Sequence, residues 1–95
     1  MERIRLLAGG QAFFPALCEA IEAARETVWL ETYIFRFDAT GERVAQALEQ
    51  AARRGVQVRV LVDGVGTPLM PPEWVSRWTD AGVVHLVFSP VRWYS

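Results

Sequence analysis

The stretch VQVRVLVDG at residues 56–64 decides the fold. Four valines alternate with other residues, and a carboxylate and a glycine come after the last valine. A period of two places the valines on one face of a β-strand, where β-branched residues pack well. A second stretch, VWLETYIF at residues 28–35, is almost continuously apolar and predicts a central strand covered on both faces. The two stretches together predict a sheet with a buried core.

Apolar residues at helical spacing separate the strands and predict three helices. The first helix begins near Phe13, the second is capped by Thr40, and Pro71 and Pro72 open the third. Short strands are also expected at residues 3–7 and 83–88. The resulting order, βαβαβαβ, predicts an α/β fold with a mostly parallel sheet and helices on both faces.

The composition restricts the classes of function. All ten basic residues are arginine, eleven residues are acidic, and the net charge is −1. Nucleic-acid binding needs a basic surface and is therefore not expected. Cys18 is the single cysteine, which excludes an internal disulfide and a cysteine-based zinc site, and it is expected to pack on an apolar helix face. No apolar run approaches the roughly 18 residues of a membrane-spanning helix, and no signal peptide is recognised.

Two carboxylates stand on the two strongest predicted strands. Glu31 interrupts an apolar run, where a charge is costly unless it is paired or used. It is either a structural group satisfied by Arg59 or by backbone donors, or a group that orients a catalytic residue. Asp63 ends the next strand, at the edge of the sheet where α/β proteins usually bind ligands. It either caps the glycine-rich turn that follows or belongs to a site.

Three other features give weaker signals. His85, the single histidine, lies inside an apolar strand and is expected to be structural. A candidate aromatic patch for a membrane surface consists of Trp74, Trp78 and Trp93, with Leu69 and Met70 nearby. Trp74 and Trp78 lie one helical turn apart and share a face, and packing of that face on the sheet or on the rest of the enzyme is favoured. The glycines at residues 64–66 do not form a phosphate-binding loop, because the chain has no lysine and the third glycine is absent.

The segments LLAGGQAFFPALCEAIEAAR, from residue 6, and VWLETYIFRFDATGERVAQALEQAARRGVQVRVLVDGVGT, from residue 28, carry a resemblance to a known family. They resemble the opening of the first catalytic half of bacterial cardiolipin synthases, which belong to the phospholipase D superfamily. LETYIF, ARRGV and VRVLVDGVG are the most specific parts, and the likeness runs from Leu6 to about Ser89. The resemblance implies a two-lobed enzyme in which each lobe supplies one H-x-K-x-x-x-x-D motif and both motifs meet at one site.

The resemblance also implies a reaction. One histidine attacks a phosphodiester to form a phosphohistidine, the other protonates the leaving alcohol, and lysines stabilise phosphoryl charge, without a metal or another cofactor. With a lipid alcohol as the acceptor, the product is cardiolipin. Glu31 and Asp63 match acidic positions near the motif and carry over as supporting residues. Tyr33 and Gly64 are the candidate substrate contacts, and core packing is the alternative explanation of Tyr33.

The chain departs from the family pattern at the motif itself. No lysine can complete an H-x-K, and His85 is followed by Leu86 and Val87. We therefore expect residues 1–95 to be the N-terminal portion of a phospholipase D-like domain, truncated before its motif, inactive alone and able to self-associate through apolar surface. The parent enzyme is expected to be cytoplasmic and peripheral at the inner membrane, with phospholipid and the rest of the enzyme as its partners.

Two other functions stay open. The chain could belong to another phosphodiesterase of the superfamily, a phospholipase or a nuclease, although a nuclease should have a basic groove and arginines do not exceed acids here. It could also be a non-catalytic α/β module that binds a partner. The encoding gene discriminates between these functions: two downstream H-x-K-x-x-x-x-D motifs support an enzyme, and a stop codon after Ser95 supports the module.

Overall fold

Five strands form one sheet in the computed structural model of the chain, which describes residues 4–8, 14–32, 38–63, 70–88 and 93–94. The strands are β1 (Ile4–Ala8), β2 (Thr27–Thr32), β3 (Gln57–Asp63), β4 (Val83–Phe88) and β5 (Trp93–Tyr94). The helices between them are α1 (Phe14–Ala23), α2 (Ala39–Arg53) and α3 (Pro72–Ala81).

The strands lie in the sheet in the order in which they occur in the chain. The first four are parallel, and β5 pairs with β4 in the antiparallel direction. The predicted α/β fold with a mostly parallel sheet is therefore confirmed. β5 has no counterpart among the predicted strands, because two residues are too few to produce a periodic pattern.

The three helices form one layer. α1 packs against α2, and α2 packs against α3, which helices on opposite faces of a sheet cannot do. The prediction of helices on both faces therefore does not hold for the part of the chain that the structure describes. The physical reason is the sequential strand order: when every crossover has the usual right hand and the strands advance in one direction, each helix is delivered to the same face.

The core lies between this helix layer and the sheet. Every second residue of β2 and β3 points into it, as the period of two predicts. Each of these strand residues is at most 2% exposed: Val28, Leu30, Val58, Val60 and Val62. The helices contribute buried side chains that include Ile21, Val44, Leu48 and Trp78, and Cys18 is buried on α1 as expected.

The ends of α2 are fixed by two local devices. The side chain of Asp38 accepts a hydrogen bond from the backbone N–H of Gly41 at 3.0 Å, so Asp38 is the N-cap. The prediction of Thr40 as the cap is wrong, because Asp38 offers an equally good acceptor two residues earlier. At the other end, Gly55 has a φ of 97°, a left-handed conformation that glycine adopts without steric cost and that ends the helix.

Arg54 joins the C-terminal ends of α1 and α2. Its Nη2 donates to the carbonyl oxygens of Ile21 and Glu22 at 3.1 Å and of Ala24 at 3.0 Å. The last carbonyls of a helix have no partner within the helix, and an arginine can satisfy them. This contact anchors the segment that leads from α1 into β2, the strand that carries Glu31.

Candidate functional site

Glu31 of β2 and Asp63 of β3 lie on the same face of the sheet. Glu31 is in register with Leu61, and Asp63 stands two residues further along β3, so the period of two directs all three side chains to one face. Neighbouring strands are about 4.8 Å apart and two residues advance about 6.6 Å, which puts the Cα atoms of Glu31 and Asp63 about 8 Å apart. Both residues are half-buried.

This face lies opposite the helix layer, and none of the described helices covers it. We call it the open face and define it by these residues: Trp29, Glu31, Arg59, Leu61, Asp63, Val84 and Leu86. Arg59 and Val84 are exposed, whereas the others are half-buried. Glu31 and Asp63 lie near the carboxyl ends of their strands, which is the edge where open α/β sheets usually bind ligands.

Trp29 holds Glu31 by a hydrogen bond. The indole Nε1 donates to Oε1 of Glu31 at 2.8 Å, and the two side chains meet because they are two residues apart on β2. Sequence reasoning had offered Arg59 as a partner and missed Trp29, although the spacing of two was visible. An indole carries no charge, so this contact orients the carboxylate without neutralising it.

Tyr33 and Gly64, the two candidate substrate contacts, lie outside the residues that the structure describes. The described part of β2 ends at Thr32, and that of β3 ends at Asp63. Their role in substrate contact stays a prediction.

His85 lies on the opposite face of the sheet, beneath α3. It is in register with Val60 of the core, and its ring meets that of Trp78 edge-on, with centroids 5.6 Å apart and an interplanar angle of 80°. Burial lowers the pKa of His85 below its ordinary value. Its Nε2 has no hydrogen-bond partner among the described residues. This placement agrees with a structural role, because the sheet separates His85 from Glu31 and Asp63.

Trp74 and Trp78 pack into the core. Their exposed fractions are 8% and 1%, so the shared face that could have met a membrane is buried. The favoured prediction, packing on the sheet, is confirmed. The guanidinium of Arg77 lies 5.1 Å from the centre of the Trp74 ring.

Arg77 of α3 binds two carboxylates of α2, a network that sequence reasoning missed. Its Nη1 donates to Glu42 Oε1 at 2.7 Å, and its Nη2 lies 3.1 Å from Oε2 of Glu49. The hydrogen bonds with Glu42 raise the pKa of Arg77 and lower the pKa of the Glu42 carboxyl. Glu42 and Glu49 are seven residues apart and share a face of α2, but local spacing pairs Glu49 with Arg53 rather than with a residue of another helix.

A cavity of about 180 Å³ is lined by residues of α1 and α2. Its lining residues are Cys18, Ala39, Thr40 and Arg43. Burial raises the pKa of the Cys18 thiol, and the nearby Arg43 opposes that shift. The cavity belongs to the helix layer and includes neither Glu31 nor Asp63.

The open face offers acceptors for hydrogen bonds. A carboxylate that accepts an N–H from an imidazole fixes the tautomer and the orientation of that ring. In the described residues, no group of three or more His, Cys, Asp or Glu side chains could hold a metal ion. None of the described helices combines the length and the apolar character needed to cross a membrane.

Comparisons with known proteins relate almost the whole chain to cardiolipin synthases. Residues 17–88 match the family described as "Cardiolipin synthase, PLD-like domain". The chain is 42% identical over 88 residues to cardiolipin synthase B of Escherichia coli (strain K12). These aligned residues make up 93% of this chain and 21% of that protein. It is also 41% identical over 87 residues to cardiolipin synthase A of Pseudomonas aeruginosa (strain LESB58). That alignment spans 92% of this chain and 18% of the relative.

The chain therefore spans about a fifth of the length of these curated relatives. No solved structure matches it. The matched region includes β2 and β3, the strands that carry Glu31 and Asp63.

Proposed function

Because this chain belongs to the family of cardiolipin synthase phospholipase D-like domains, we propose that it forms part of a phosphatidyltransferase that makes cardiolipin. The observation that carries the proposal is the 42% identity to a cardiolipin synthase over 93% of the chain. The geometry supports it, since the half-buried carboxylates Glu31 and Asp63 share the open face at the carboxyl ends of adjacent strands.

The proposed reaction has two displacements at phosphorus. A histidine nitrogen bonds to the phosphorus of a phospholipid while the bond to the leaving alcohol breaks, and a second histidine gives that alcohol its proton. A lipid alcohol then returns a proton to the second histidine and attacks the phosphorus, and the phosphorus–nitrogen bond breaks. The product is a new phosphodiester, which is cardiolipin when the acceptor is another phosphatidylglycerol-type lipid alcohol.

We propose that the reacting histidines and lysines come from polypeptide outside residues 1–95. Two observations support this. The chain contains no lysine, and His85 lies under Trp78 on the helix side of the sheet, away from the carboxylates. Residues 1–95 would then be the N-terminal portion of the domain, and they would have no activity alone.

In this proposal Glu31 and Asp63 are supporting residues. Each would accept a hydrogen bond from an imidazole N–H or a lysine ammonium of the motif, holding it toward the phosphorus. A negative carboxylate also stabilises the imidazolium that forms when a histidine takes up a proton. Tyr33 and Gly64, which follow these strands in the sequence, would contact the substrate.

The proposed partners are a phospholipid and the remaining polypeptide of the enzyme, and the proposed location of the enzyme is cytoplasmic and peripheral at the inner membrane. A lipid substrate requires access to a bilayer surface, which a peripheral enzyme reaches without a spanning helix. Self-association of the isolated chain also stays a prediction. Trp74 and Trp78 are buried, so the apolar surface proposed for self-association is the open face, where Val84 is 46% exposed.

A chimera tests the proposal. The 88 matched residues of E. coli cardiolipin synthase B are replaced by those of this chain, and cardiolipin formation is measured with purified protein and phosphatidylglycerol vesicles. We expect turnover within tenfold of the parent enzyme, and none from the 95-residue chain alone. The matched control is a chimera with the same residues in scrambled order.

A folded chimera without turnover would contradict the proposal, and so would turnover by the isolated chain. A chimera that cleaves DNA or releases the free headgroup instead of forming cardiolipin would favour a nuclease or a phospholipase. The encoding gene gives a second test. Two H-x-K-x-x-x-x-D motifs downstream of the codon for Ser95 are expected, and a stop codon at that point would favour the binding module.

A further inference from the structure

We propose that Trp29 is a positioning residue, which fixes the carboxylate of Glu31 through its indole N–H. The proposal rests on the proposed function, since Glu31 has to be a supporting residue of the site for its orientation to matter. It adds to that function a residue that lies one step away from the reacting groups.

The geometry is specific to one atom of each side chain. Nε1 of Trp29 lies 2.8 Å from Oε1 of Glu31, a distance typical of a strong N–H···O bond. An indole has a single N–H and no acceptor, so this contact uses the whole hydrogen-bonding capacity of the ring. Trp29 therefore fixes one named oxygen of the carboxylate.

The backbone that carries the pair is held on both sides. β2 pairs with β1 and with β3, and Trp29 is in register with Arg59 while Glu31 is in register with Leu61. A tryptophan has only two side-chain torsions, so a half-buried ring on such a strand is a stiff support. The chain thus presents Glu31 in a defined orientation near the carboxyl end of the strand.

The neutral donor matters for the chemistry. An arginine partner would add a positive charge beside the carboxylate, whereas an indole N–H orients one oxygen and adds no charge of its own. The alternative is that Trp29 serves only as apolar packing on the open face. The two roles differ in one atom, because packing needs the ring and positioning needs its N–H.

The first arm of the test is spectroscopic and uses the full 95-residue chain. The four tryptophans give four indole N–H signals in a ¹H–¹⁵N spectrum, and Trp29→Phe identifies the signal of Trp29. We expect Glu31→Gln to move that signal upfield, since a carboxylate is a stronger acceptor than an amide. Glu19→Gln, an exposed substitution on α1, should leave it unchanged. An unmoved Trp29 signal in Glu31→Gln would overturn the proposal.

The second arm is kinetic and uses the chimera. Trp29 is replaced by its isostere with sulfur in place of the N–H, which keeps the ring and removes the donor. We expect kcat to fall about tenfold, a factor comparable with the loss of one hydrogen bond to a charged group, with KM unchanged and the chimera still folded under the assay conditions. In a Glu31→Gln background the same replacement should cost less than twofold, because the two residues act as one unit.

The outcomes separate this inference from the proposed function. If Glu31→Gln lowers kcat and the isostere does not, Trp29 is a packing residue and the proposed function survives. If the isostere lowers kcat by the same factor in the chimera and in its Glu31→Gln background, Trp29 does not act through Glu31. If the chimera has no transferase activity, the proposed function fails, and the kinetic role of Trp29 fails with it.

Discussion

The two faces of the sheet are built from the same strands and do different things. On the helix side, Val58, Val60 and Val62 of β3 are at most 2% exposed and meet apolar residues of the helices. On the open face, the alternate residues of the same strand are Arg59, which is exposed, and Leu61 and Asp63, which are half-buried. One strand therefore supplies both stability and a candidate site, because alternation separates the two sets of side chains.

A slip of one residue in strand pairing would exchange these two faces. We therefore expect substitutions on the helix side to lower the free energy of unfolding and substitutions on the open face to leave it nearly unchanged.

Trp78→Ala removes the largest side chain that is fully buried on the helix side. We expect a loss of about 4 kcal/mol in the free energy of unfolding, from lost apolar burial and the cavity that remains. Denaturant unfolding followed by circular dichroism measures it. Val75→Ala lies on the same helix at a site 46% exposed and should change stability by less than about 0.5 kcal/mol. Similar losses from both substitutions would contradict the assignment of the helix face.

Arg77→Ala leaves the carboxylate of Glu49, which is 5% exposed, without its ion-pair partner. We expect a loss of about 3 kcal/mol in the free energy of unfolding. This value is at the lower end for a broken buried ion pair, because the side chain of Arg77 is a third exposed. Unfolding of Arg53→Ala, an exposed arginine of α2, provides the control. Pairing Arg77→Ala with Glu49→Gln should recover part of the loss, and a double variant as unstable as the single one would count against a buried unpaired charge.

Burial on the helix side of the sheet lowers the pKa of His85, so the free energy of unfolding should depend on pH. The unfolded chain takes up a proton near the ordinary value of 6.5, while the folded chain resists it. The stabilising difference is therefore complete above that value and is lost as the pH falls toward the folded pKa. The urea midpoint should be lower at about pH 5.5 than at about pH 7.5, and His85→Phe should reduce the difference. An identical pH dependence in the variant would rule out this origin.

Val84→Ser tests the open face, where the side chain is 46% exposed. We expect a change of less than about 0.5 kcal/mol, because little apolar area is removed from water at this site. Val83→Ser, the neighbouring residue at 6% exposure on the helix side, should cost several times more. Equal costs at the two positions would mean that the faces are not distinct.

Most of the fold could be predicted from the sequence, because alternation and helical spacing are local signals. The valines of β3 and the stop at Gly55 follow from their own neighbours. The single helix layer could not be predicted, since it depends on the order of strands in the sheet, whereas the continuous apolar run at residues 28–35 favours cover on both faces. Asp38 and Thr40 are competing caps only two residues apart, and local sequence does not choose between them.

The candidate site divides in the same way. Glu31 and Asp63 could be identified because each is a carboxylate on a strongly apolar strand, and period two with the strand register gives them one face. The hydrogen bond from Trp29 depends on side-chain torsions that the sequence does not reveal. The network of Arg77 with Glu42 and Glu49 joins residues 35 and 28 positions apart, so tertiary packing alone creates it.

The kcat of the chimera with Glu31→Gln or Asp63→Asn, measured beside its unfolding midpoint, tests the central claim most directly. We predict a fall in kcat of about 10- to 100-fold for each substitution, the range known for groups that orient a metal-binding imidazole, with the midpoint unchanged. Unchanged kcat in both variants, or losses that follow a fall in stability, would contradict the claim that the open face forms part of a phosphoryl-transfer site.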